Sequence, residues 1–199
     1  MRLLSGNIFN KICTSARNVS PKVLKYVLDL CVELAREGRE GRKIGTLFTV
    51  GDEEQVLKYS RCLILDPLLG HPDNLKKIDN AGMRETVKEL AQLDGAFIVS
   101  EQGVILSAAR YLEAPSEKVK LPLGLGARHV AAAAISLNTN AVAVVVSSSS
   151  VILVFENGEI IAEIFIELRG FGRESIYIQH AKIKEFRDDH LTVVTKEAK

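Results

Sequence analysis

Asp94 and Gly95 stand together just ahead of an apolar run, Ala96 to Val99. A carboxylate at the edge of a buried strand can hold a divalent metal or take a proton from a sugar hydroxyl. A neighbour without a Cβ lets a ligand come close to the backbone. By itself Asp-Gly is more often a turn. A second set, Gly124-Leu125-Gly126-Ala127-Arg128-His129, leads into the small apolar run Val130 to Ile135. Two glycines before a helix N-terminus leave backbone N–H groups to face an anion, and the helix dipole adds to the attraction. Arg128 supplies a planar fork of donors matched to phosphate oxygens, and His129 a charge-assisted hydrogen bond or a metal ligand. Taken alone, the stretch reads equally as a glycine loop with a solvent-facing Arg and a capping His. A third set, Ser147 to Ser150, follows the apolar run Ala141 to Val146. Hydroxyls at a strand end can bind phosphate or a base edge, although a serine-rich hairpin turn is the plainer account. The mixed-charge stretch Arg36 to Lys43 reads either as a phosphate-facing loop or as a solvated helix end, whose cations suit a helix C-terminus.

Several chemistries are excluded. The four histidines, His71, His129, His180 and His190, come without a G-x-S-x-G elbow, so a serine hydrolase has no support. Walker A, H-E-x-x-H and a strand-anchored G-x-G-x-x-G are absent. Cys13, Cys31 and Cys62 are odd in number and far apart, with no C-x-x-C pair; this argues against a zinc site and points to a reducing cytoplasm. Met1 to Asn10 lack the apolar run of a secretory signal. With 26 Lys and Arg against 25 Asp and Glu, the net charge of +1 provides no global field for nucleic acid or an anionic bilayer.

The elements that must position these residues form an α/β chain, a mixed central sheet flanked by helices. Its 199 residues, 47% hydrophobic, suffice for one well-packed core. Ser20-Pro21 opens a helix with one apolar face that runs to Gly38. Ile44 to Val50 is a strand, Asp52 caps a short helix over Glu53 to Tyr59, and Arg61 to Leu65 is a second strand. Asp66 to Gly82 is a surface loop, and Arg84 to Leu93 a helix that delivers the chain to Asp94. Ala96 to Val99 and Val104 to Ala109 make a core hairpin, followed by a long loop from Glu113 to Ala127. Val130 to Phe155 carries no charge and exceeds the ~20 residues of a membrane span. Asn138-Thr139-Asn140 and the four serines would leave polar groups in hydrocarbon, so it divides into a helix, Arg128 to Leu137, and two buried strands. The second strand, Val151 to Phe155, pairs with Glu159 to Ile166 across Asn157-Gly158. Beyond Ile166, Arg169 to Arg173 is a loop, while Ile176, Ile178 and Ile183 fit a strand or a marginal helix.

Together these segments resemble the diadenylate cyclase (DAC) domain family, whose two hallmark motifs are Asp-Gly-Ala and Arg-His-Arg. Asp94-Gly95-Ala96 matches the first in full, and Gly126-Ala127-Arg128-His129-Val130 is similar to the second. The similarity takes in Gly45-Thr46-Leu47-Phe48, the hairpin Ile98 to Leu112 and the strand Ala141 to Val146, and covers residues 23–164 of one domain spanning 1–199. It is nearest to soluble, archaeal-type members. Three positions depart from the family pattern. Val130 replaces Arg, Ala127 stands where many members carry Thr, and Ser147-Ser148-Ser149 stands where many have Ser-Glu-Glu, so a metal-holding glutamate has no counterpart.

The resemblance implies an enzyme that joins two ATP into cyclic di-AMP in a homodimer or higher oligomer, with no nucleic-acid or membrane partner. Asp94, Arg128 and His129 would be catalytic, with Asp94 and His129 toward Mn²⁺ or Mg²⁺. Gly95, Ala96, Leu112, Gly126, Ala127 and Ser147 would contact nucleotide, Leu112 against adenine. The altered second motif leaves a noncatalytic module that binds ATP or cyclic di-AMP as the alternative.

Overall fold

Ser20 and Pro21 begin the first helix as their types require: the Ser20 hydroxyl accepts the Val23 amide, and Pro21 takes a first-turn position where no N–H is needed. This helix, α1 (Pro21–Glu37), ends at Gly38, whose φ of +61° suits a residue without a Cβ. In this computed structural model the described residues are 9–10, 12–14, 17–38, 41–166, 177–178, 183–188 and 191–196. The expected loop Arg169 to Arg173, together with Ile176, His180, His190 and the Arg39-Glu40 part of the basic stretch, lies outside them.

The remaining elements are β1 (Thr46–Val50), α2 (Glu53–Lys58), β2 (Ser60–Cys62), α3 (Ala81–Leu90), β3 (Ala96–Val99), β4 (Ile105–Leu112), α4 (Ala127–Asn138), β5 (Val142–Val146), β6 (Val151–Glu156), β7 (Glu159–Ile166), β8 (Ile183–Asp188) and β9 (Leu191–Lys196). Among the described residues the strands make one nine-stranded mixed sheet in the order β2-β4-β3-β1-β5-β6-β7-β9-β8. β1 and β3 are parallel and the other pairs antiparallel.

The central strands bury both faces, and their two-residue side-chain period sorts them into two cores. Phe48, Phe97, Val99, Val142, Val144, Ile152 and Val154 meet α1 and α3 on one face. Leu47, Ala96, Ile98, Ala143, Val145, Leu153 and Phe155 meet the small residues of α4 on the other. The uncharged stretch therefore resolves into α4, β5 and β6, and among the described residues no helix is long and apolar enough to cross a membrane. Asn157 and Gly158, both at positive φ, turn β6 into β7.

Four local expectations are corrected, and one open alternative is decided. Asp52 does stand at the N-cap of α2, but its own φ is +45° and its carboxylate accepts the Asn140 amide at 2.8 Å, which leaves the helix end uncapped by that side chain. The second strand spans only Ser60–Cys62, because Leu63, Ile64 and Leu65 turn outward to solvent. The third helix starts earlier, at Ala81, where the Asn80 side chain accepts the amides of Gly82 and Met83. α1 is buried on more than one face, since α3 and the segment bearing Phe9 and Ile12 cover its outer side; even Asp29, paired with Lys25, is buried. Of the two readings open for Ile183 the strand holds, and the β-branched run Leu191–Lys196 adds a further strand between it and β7.

Candidate active site

Asp94 ends the turn after α3 and precedes β3, so its carboxylate stands at the sheet's edge, exposed. Gly95 follows with φ at +106°; a Cβ there would lie 2.6 Å from the Ala109 carbonyl carbon. The cause is local. β4 carries an extra residue between its Ser107 and Arg110 pairings with β3, and Ala109 adopts φ +53° within that bulge, pressing backbone against backbone. Ala96 is then the first buried residue of β3, and Leu112 closes β4 on the same side.

The second group is brought across by α4. Arg128 Nη2 donates to Asp94 Oδ1 at 2.8 Å, joining residues 34 positions apart. The guanidinium also lies over Gly45, where a Cβ would come within 3.1 Å of Nη1. Gly126 is the N-cap of α4, and its amide donates to His129 Nδ1 at 3.2 Å. An accepting Nδ1 puts the proton of the neutral ring on Nε2, which is buried without a hydrogen-bond partner. Burial above all holds the His129 pKa below the ordinary imidazole range, against the Gly126 hydrogen bond and with help from the Arg128 charge, so this neutral form prevails at pH 7. Of the two tasks the sequence suggests for His129, the geometry favours donating to a phosphate over ligating a metal, since neither nitrogen offers a free lone pair.

These groups open on one cavity of about 710 Å³, within the range for small-ligand sites. Asp94, Gly95, Ala96, Leu112, Gly126, Ala127, Arg128, His129 and Ser147 all line it. Ser147 also serves its hairpin: its amide bonds the Val151 carbonyl and its hydroxyl the Ser149 hydroxyl at 2.6 Å. Val130 is absent from the lining, so the departure from Arg there removes a cation without opening the wall.

Sequence reasoning missed Arg110, Tyr111 and Tyr177, which line the cavity too. Arg110 is tied to the hydroxyl and carbonyl of Ser60 and to the Cys62 sulfur, and the Tyr111 ring lies beneath the Arg61 guanidinium. An aromatic beside Leu112 was a usable signal for Tyr111; Tyr177 had none.

Among the described residues Asp94 is the only carboxylate in the lining, and no three His, Cys, Asp or Glu side chains cluster as a metal cage. One carboxylate with nearby hydroxyls suits a hard divalent cation that takes its other ligands from substrate phosphates and water.

The family model described as "DisA bacterial checkpoint controller nucleotide-binding" (DAC) matches residues 33–160. A protein of Methanocaldococcus jannaschii described as a diadenylate cyclase is 46% identical over 143 residues, 71% of this chain and 45% of that protein. One of Haloferax volcanii with the same description is 40% identical over 145 residues, 72% and 53% respectively. The chain thus spans about half the length of these curated relatives. A crystal structure of a hypothetical membrane spanning protein from Bacillus cereus shares the fold, with a TM-score of 0.53 at 18% identity, covering 75% of this chain and 66% of that one. With most of its length matched by the family's own model, and two relatives at this level of identity, the chain belongs to the diadenylate cyclase (DAC) family.

Proposed function

We propose that this chain condenses two ATP into cyclic di-AMP with release of two pyrophosphate, each site in one copy facing that of a second. In each step a ribose 3′ oxygen bonds to the other nucleotide's α-phosphorus, the bond from that phosphorus to the pyrophosphate oxygen breaks, and the hydroxyl proton leaves. Two nucleotides must lie in line, which a cavity of single-ligand size in one copy does not provide. The observation that carries this reading is the meeting of Asp94, Arg128 and His129 on one cavity, with an Asp94–Arg128 contact of 2.8 Å.

Asp94 takes the hydroxyl proton and would hold Mg²⁺ or Mn²⁺, a cation that would neutralise phosphate charge and make the hydroxyl more acidic. Arg128 turns from Asp94 to the phosphates, and His129 donates from Nε2 after a small rotation. The amides of Gly126 and Ala127 face the same anion at the N-terminus of α4. Ser147 adds a hydroxyl, Gly95 and Ala96 form the floor, and Leu112 packs on adenine. The free thiols of Cys13, Cys31 and Cys62 suit the reducing cytoplasm in which ATP is abundant.

The test is to incubate the chain with ATP and Mn²⁺ or Mg²⁺ and to look for cyclic di-AMP by mass spectrometry. Product is expected from the parent, and at least about 100-fold less from Asp94→Asn. A parent that binds ATP but forms no product with either cation is a noncatalytic binding module, and undiminished product from Asp94→Asn removes that residue from the chemistry.

A further inference from the structure

Glu163 is buried completely in the middle of β7, facing Leu153 of β6 and Val194 of β9. A carboxylate so placed is costly unless it is hydrogen-bonded, and an apolar residue would fill the position at less cost. Its use lies in what it holds: Oε1 accepts the backbone N–H of Tyr177 at 2.8 Å and that of Ile178 at 2.6 Å. Ile178 is thereby seated in the core on the cavity side of the sheet, and Tyr177, half-buried beside it, becomes part of the cavity wall. Both residues lie beyond 33–160, the part matched by the family model.

The sheet order fixes which end of the cavity this is. Leu112 belongs to β4, and β6 lies four strands away, about 19 Å at ~4.8 Å per strand. Tyr177 is anchored on β7, one strand further, while Arg128, His129 and Ser147 gather around the strands between. With adenine at Leu112, the triphosphate runs toward Tyr177.

We propose that Tyr177, positioned by Glu163, receives the β- and γ-phosphates of ATP, its phenol O–H donating to a phosphate oxygen and orienting the pyrophosphate that departs. This rests on the reading of the cavity as an ATP site. A phenol is a neutral donor, so it holds the leaving group without binding it as tightly as another guanidinium would.

The test compares ATP, supplied as its 3′-deoxy form, which keeps the triphosphate but has no hydroxyl to attack, with AMP, each with Mg²⁺, by calorimetry on the full chain. Tyr177→Phe is expected to weaken ATP about tenfold and leave AMP within about twofold. Glu163→Leu should change the ATP-to-AMP ratio in the same way, and Glu163→Gln, which keeps an acceptor, should change it less. An unchanged ATP affinity in Tyr177→Phe overturns the proposal, as does an equal loss for ATP and AMP, which would put the tyrosine at the base or ribose. If Glu163→Leu does not fold, Tyr177→Phe still decides. A parent that binds neither nucleotide defeats the ATP-site reading itself, an outcome distinct from a parent that binds ATP and tyrosine variants that bind it equally well.

Discussion

Two glycines at the site have opposite reasons for lacking a Cβ. At Gly95 both the φ of +106° and the overlap with Ala109 oppose a side chain, and what stands in the way is backbone. Gly95→Ala should therefore cost about 2–4 kcal/mol, lowering Tm by about 5–12 °C in a thermal melt. At Gly45 the obstacle is the tip of Arg128, which can swing away. Gly45→Ala is expected to melt within about 2 °C of the parent and to bind ATP about tenfold more weakly. His129 gives a pH signature. Its folded pKa is below the ordinary value of about 6.5 that the unfolded chain retains, so between the two the unfolded state binds more protons. The resulting loss of stability begins as pH falls through about 6.5 and ceases below the folded value. From pH 7.5 to 5.5 the parent should lose more Tm than His129→Gln, which has no such proton to gain. Asp94, Gly95 and the Gly126 to His129 run were readable from sequence because each combines a chemical group with an element boundary. Tyr177 was not, because its place depends on its backbone N–H donating to a carboxylate that, in sequence, is an ordinary strand Glu.

At the level of elements, α3 is clamped to α1 by charge. Lys88, itself buried, reaches Glu33, Glu37 and Glu85 at 3.1 Å each, and Arg84 joins Glu33 at 2.7 Å. Burial works to lower the Lys88 pKa, but the three carboxylates prevail and raise it. Lys88→Ala should cost about 1–3 kcal/mol, because Glu33 keeps its half-buried place with one partner fewer; urea denaturation would record this as a lower midpoint at constant slope. α3 delivers Asp94, so the clamp also steadies the site. The elements legible in sequence were those whose signals are local: the Ser20-Pro21 start, the Asn157-Gly158 turn, and the apolar runs of β1, β3, β5 and β6. Those misread depend on distant partners. Asp52 has a cap's chemistry but is claimed by Asn140, β2 loses Leu63 to Leu65 because β4 pairs only as far as Arg110, and β9 becomes a strand by lying between β7 and β8.

For the molecule as a whole, the proposed joining of two nucleotides would demand an encounter between copies, so product formed per copy should fall as the protein is diluted, and light scattering should show the larger species returning at high concentration. A rate per copy independent of concentration, from a protein that stays monomeric with ATP, would sink the facing arrangement. The contact between Asp94 and Arg128 has a consequence at this scale too. With the acid and the guanidinium closed on each other, and a total of only +1 over 199 residues, Arg110, tied to Ser60 and Cys62, is the cation left unneutralised in the resting cleft among the described residues. Arg110 alone steers a polyanion only weakly, so stopped-flow association of ATP should slow only slightly as ionic strength rises. Asp94→Asn strips the screen from the arginine, and this variant should capture nucleotide faster than its parent in dilute buffer, an advantage that added salt erases.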